Sequence, residues 1–105
     1  MGTIILYIAK SGRTHYTEWL GKLVVKTRAI IVDHVGRLSL GIGEVRYLGD
    51  KLWELKVRYG PGYRVYYTKE GEQVILVYAG SGKSDQKRTI QLVRRLIKER
   101  ETDKR

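Results

Sequence analysis

The segment from Leu52 to Lys83, LWELKVRYGPGYRVYYTKEGEQVILVYAGSGK, constrains the fold more than any other part of the chain. It reads as three short strands joined by two tight turns. From Leu52 to Tyr59, Trp53, Leu55, Val57 and Tyr59 fall on one side and Glu54, Lys56 and Arg58 on the other. From Tyr63 to Thr68, Tyr63, Val65 and Tyr67 alternate with Arg64, Tyr66 and Thr68. Strand side chains alternate with period two, so each run has one face to bury and one that stays polar. Gly60-Pro61-Gly62 and Glu70-Gly71-Glu72 supply the turns. Val74 to Ala79 is almost wholly apolar, as in a strand covered on both faces. Paired as a hairpin, the first two runs place Lys56, Arg58, Arg64 and Tyr66 on one surface, which suits a phosphate backbone.

The flanking sequence adds helices. Thr3 to Ile8 reads as a first strand. Thr14 is a plausible N-cap, with Glu18 in the first turn, for a short helix through Trp19, Leu20, Leu23 and Val24. Gly21 weakens that helix, since an interior glycine costs about 1 kcal/mol relative to alanine. Lys26 to Leu40 is a stronger helix, with Ile30, Ile31, Val35 and Leu38 on one side, ending at Gly41-Ile42-Gly43. The two helices are expected as a hairpin on one face of the sheet. Ser84 to Glu101 is a terminal helix with Ile90, Val93 and Ile97 on its apolar stripe, and residues 101–105 are expected to fray. The expected fold class is α+β and two-layer: a small, mainly antiparallel sheet with an N-terminal helical hairpin and a C-terminal helix, in the order β-α-α-β-β-β-α. Residues 1–105 suffice for a single domain.

Charge narrows the function. Lysine and arginine total 21 against 11 acids, a formal net charge of +10. So basic a small domain is expected to attract nucleic acid, an anionic membrane surface or an acidic protein, and the tyrosines among the strand cations favour nucleic acid. No apolar run has membrane-spanning length, and TIILYI is too short for a secretory h-region. Cysteine is absent, which suits a reducing cytoplasm. With His15 and His34 the only histidines, a metal site is not expected.

Ala79-Gly80-Ser81-Gly82-Lys83-Ser84 looks like part of a phosphate loop, but the pattern requires glycine where Val77 stands. What survives is a weaker expectation, that the amides of residues 82–85 and Lys83 hold one phosphate at a helix N-terminus. A plain strand-to-helix connection capped by Ser84 accounts for the same residues.

Thr17-Glu18-Trp19-Leu20, Arg37-Leu38 followed by Leu40-Gly41, Gly49-Asp50, and above all the run from Leu52 through the GPGYRVYY segment to Gln86 carry a resemblance. Over roughly residues 14 to 100 the chain resembles the RelE/ParE superfamily of bacterial toxins, and within it the HigB-like addiction module killer protein group. The resemblance implies a cytoplasmic toxin with a cognate antitoxin protein, cutting mRNA on the ribosome without metal or other cofactor. It places Arg64 as the phosphate-stabilising arginine, Lys56 as a strand lysine acting as general base, and Arg58 beside it. Tyr66, Lys83 and Lys87 are the substrate-binding candidates. The pattern departs from the RelE group at Glu54, where a further lysine is usual, and at Ser84, in place of a second arginine. No tyrosine lies near Thr89 or Ile90.

Two activities fit the resemblance. In the first, a ribonucleotide 2′-hydroxyl attacks the neighbouring phosphate, Arg64 clamps the phosphorane by electrostatic preorganisation, and Lys56 takes the proton. In the second, as in the ParE branch, the basic face inhibits DNA gyrase with no chemistry of its own. An inactive nucleic-acid-binding member is a further alternative.

Overall fold

A computed structural model describes residues 2–103. Among them the chain runs β1 (Thr3–Leu6), α1 (His15–Gly21), α2 (Val25–Arg37), β2 (Glu44–Gly49), β3 (Leu52–Val57), β4 (Tyr63–Glu70), β5 (Val74–Gly82) and α3 (Gln86–Asp103). One-turn 3₁₀ segments follow α2 at Leu38–Leu40 and precede α3 at Lys83–Asp85. The five strands form one mixed sheet in the order β1-β5-β4-β3-β2, with β1 parallel to β5 and every other pair antiparallel. The α+β class and the mainly antiparallel sheet follow the sequence reading.

Two features differ from it. The order is β-α-α-β-β-β-β-α, because Glu44–Gly49 forms a strand that the sequence reading leaves unassigned. It joins β3 through a two-residue turn in which Asp50 and Lys51 both have positive φ, 50° and 72°, as the twist of a tight hairpin requires. The sheet is also covered on both faces, so the two-layer expectation gives way to three layers. On one face Tyr16 and Leu20 of α1 and Ile31 and Val35 of α2 bury Leu55, Val57, Val65, Tyr67 and Val77. On the other, Val93, Leu96 and Ile97 of α3 bury Leu52, Tyr66, Leu76, Tyr78 and Ala79. Both faces of β4 and β5 are therefore apolar over most of their length. A terminal helix with its own apolar stripe removes the second face from water.

Helix limits have local causes. α1 stops at Gly21, four residues before α2 begins, which leaves Val24 exposed as the N-cap of α2. The helix expected to Leu40 tightens to 3₁₀ geometry after Arg37 and ends where Gly41 turns left-handed at φ 74°. α3 begins two residues later than expected and continues to Asp103. The remainder of the expected frayed tail, residues 104 and 105, lies outside the described residues.

Candidate functional site

Register builds the site. Glu44 pairs with Lys56, Lys56 with Arg64, and Arg64 with Ser81. Directly opposed residues share a face, so these four form one lateral row on the α3 side of the sheet. The neighbouring row, Arg46–Glu54–Tyr66–Ala79, lies at the start of α3, where Gln86 Nε2 donates to Glu54 at 3.0 Å. α3 begins there, so the Lys56–Arg64 row, one pleat further on, escapes its cover. The residues that alternation marks as polar thus divide: Lys56 and Arg64 reach an opening, and Tyr66 and Thr68 are sealed.

The opening is a concavity of about 450 Å³ bounded by Lys56, Arg58, Arg64 and Lys83 and floored by the Gly60-Pro61-Gly62 turn. Arg64 is its most constrained cation. Its Nε is buried with no hydrogen-bond partner among the described residues, and a buried donor left unpaired costs free energy. A Cβ at Gly62 would stand 3.3 Å from Arg64 Nη1, and the φ of +95° there strains any other L-residue. The turn glycine leaves the guanidinium its space.

Glu44 is the counter-ion. It accepts from Arg58 Nε at 2.6 Å and Nη2 at 2.8 Å, a two-pronged bond, and lies 3.9 Å from Lys56 Nζ. The Arg58 hydrogen bond holds its carboxyl below the usual range. Four cations against one carboxylate leave the cleft strongly positive. Sequence reasoning misses Glu44 because it misses β2. The alternation of Glu44 and Arg46 with Val45 and Tyr47 is the signal that could have found it.

The remaining candidates separate. Tyr66 lies on the cationic face, as alternation indicates, but it is fully buried beneath α3, with its hydroxyl 3.4 Å from Ser81 Oγ. Burial pushes that hydroxyl up to about 12. A base cannot stack on it in this conformation, which corrects the expectation that it meets substrate. Lys87 lines a separate shallow surface with Arg88 and Gln91. Residues 80–82 belong to β5 and pair with β4, and a 3₁₀ turn opens at Lys83–Asp85 with Gly82 as its N-cap; of residues 82–85, the cleft lining includes Gly82's neighbour Lys83. Glu54 is a buried anchor between Arg46, at 3.3 Å, and Gln86. His15 faces a different depression with Arg13 and Thr89, where burial, then Arg13, lowers its pKa.

No family model matches the chain. A protein of Haemophilus influenzae described as uncharacterized is 30% identical over 86 residues, covering 80% of this chain and 87% of that protein. At that identity and coverage, the chain belongs to the same family as this Haemophilus influenzae protein.

Proposed function

We propose that the chain is a RelE-like toxin of a bacterial toxin–antitoxin pair, acting in the cytoplasm as an mRNA endonuclease on or near the ribosome. The observation that carries this reading is the cross-strand pair Lys56–Arg64, opening with Arg58 and Lys83 into one exposed cleft. The 2′-oxygen attacks the adjacent phosphorus and the P–O2′ bond forms. The P–O5′ bond then breaks; the 2′-hydroxyl loses its proton and the 5′-oxygen gains one. Arg64 faces the charge that develops on phosphorus, where a fixed donor can supply about 10²–10³ in rate. Among the described residues, Lys56 and Lys83 are, apart from the arginines, the titratable groups on the cleft wall. Lys56 is the candidate base and Lys83 the candidate donor. Arg58, held by Glu44, shapes the field. A cognate antitoxin would neutralise the cleft with acidic groups, and its affinity would fall with salt.

One observation favours the second reading, an inhibitor such as a gyrase poison: among the described residues no imidazole or phenol lines the cleft, and its one neighbouring carboxylate, Glu44, is held by Arg58. A single comparison separates the two. Purified protein added to translating ribosomes should fragment mRNA and leave gyrase supercoiling unchanged. Intact mRNA with inhibited supercoiling would establish the inhibitor instead.

A further inference from the structure

We propose that β2 pairs antiparallel with β2 of a second copy of this chain, about a two-fold axis through Val45. β2 is an outer strand that pairs with β3 alone among the described residues. Its far end is closed, because Arg94 donates to the carbonyls of Leu48 and Gly49 at 2.9 and 3.2 Å. The stretch from Gly43 to Tyr47 is exposed throughout. A sheet edge in this state is a template for another strand; β2 carries no proline and no lysine there, its two charged residues, Glu44 and Arg46, are of opposite sign, and its irregularity falls between Tyr47 and Gly49.

The side chains select one occupant and one register. Pairing about Val45 sets Glu44 opposite Arg46 of the second copy, and Arg46 opposite its Glu44. On the other face Val45 meets its own equivalent. Tyr47, 53% exposed, lies opposite the second copy's Gly43, where no side chain competes for its ring. Opposite charges and aromatic contacts across an antiparallel pair stabilise it, and like charges destabilise it. Centring the axis on Glu44 or on Arg46 sets like charges face to face. Centring it between residues turns Val45 and Tyr47 against the charged face. The edge is thus self-complementary in one arrangement, as an isologous two-fold contact requires. Opposed residues share a face, so both cation clefts open on the same side of the joined sheet. The pairing itself does not depend on what the clefts bind.

The experiment is sedimentation equilibrium of the wild-type protein and Val45→Lys, with circular-dichroism melts of both. The wild type should sediment as a dimer at micromolar concentration, and Val45→Lys, which sets two ammonium groups across the axis, should have half that mass. The chain has no cysteine, so Val45→Cys offers a second readout that does not depend on the first variant folding. A short thiol cross-linker should join it into a dimer and leave Ile5→Cys, on the opposite edge strand β1, monomeric. A wild-type monomer at several hundred micromolar, a folded Val45→Lys that stays dimeric, or cross-linking of Ile5→Cys in place of Val45→Cys would overturn the proposal.

Discussion

Gly80→Ala should destabilise the protein far more than its single added methyl suggests. Gly80 lies in β5 opposite Val65, on the face covered by α1. A Cβ there would stand 2.2 Å from Cζ3 and 2.3 Å from Cε3 of Trp19. Carbon atoms rest at about 3.5–4.0 Å, so the indole, and the helix that carries it, must retreat by roughly 1.5 Å. Trp19 is packed between Tyr16 and Tyr63, so a rotamer change alone does not clear the clash. Overpacking of this kind costs about 1–3 kcal/mol, and the depth of overlap places this case near 3. For a domain of this size that is a fall in Tm of roughly 10–20 °C. The assay is a pair of thermal melts, repeated in a Trp19→Ala background, where Gly80→Ala should cost less than about 0.5 kcal/mol because the obstacle is gone. A Gly80→Ala variant melting within 2–3 °C (roughly 0.5 kcal/mol) of wild type, or an equal cost in both backgrounds, would refute the reasoning.

Other perturbations probe the cleft and the core. Glu44→Gln releases Arg58 and removes the cleft's counter-ion; binding to single-stranded RNA should tighten, and the slope of log K against log salt should steepen by about 0.7. Arg46→Ala strips an ion partner from the buried Glu54 carboxylate and should cost about 2–3 kcal/mol in denaturant unfolding, near the low end for a broken buried pair because Arg46 itself is exposed. Burial raises the hydroxyls of Tyr16, Tyr66 and Tyr67 to about 12. Their contribution to stability is full below the unfolded value near 10 and is lost as pH rises towards 12, so Tm should fall across that window while tyrosinate absorbance lags behind that of the denatured chain.

The parts of the fold legible in sequence are those set by local periodicity. Alternation in Leu52–Val57 and Tyr63–Thr68 gives the strand faces, and the short turn between them brings Lys56 opposite Arg64. What alternation cannot give is which part of a face another element will cover. Tyr66 and Arg64 carry the same signal two residues apart; only the starting point of α3 makes one core and the other cleft. β2 escapes notice because Gly41, Gly43 and Gly49 bracket the five residues Glu44 to Leu48 as they would a loop, so Glu44 escapes with it. Gly80 misleads in the opposite way: beside Ser81-Gly82-Lys83 it suggests a phosphate loop, whereas its lack of a side chain makes room for Trp19.

The central claim, that the Lys56–Arg64 cleft cuts RNA by 2′-hydroxyl attack, is tested most directly by the chemistry of the cut ends. Fragments from translating ribosomes treated with wild-type protein should end in 2′,3′-cyclic phosphate and begin with 5′-hydroxyl. Arg64→Ala, melting as wild type does, should yield at least about a hundredfold fewer of them. Fragments with 3′-hydroxyl and 5′-phosphate ends, or undiminished cutting by folded Arg64→Ala, would contradict the account.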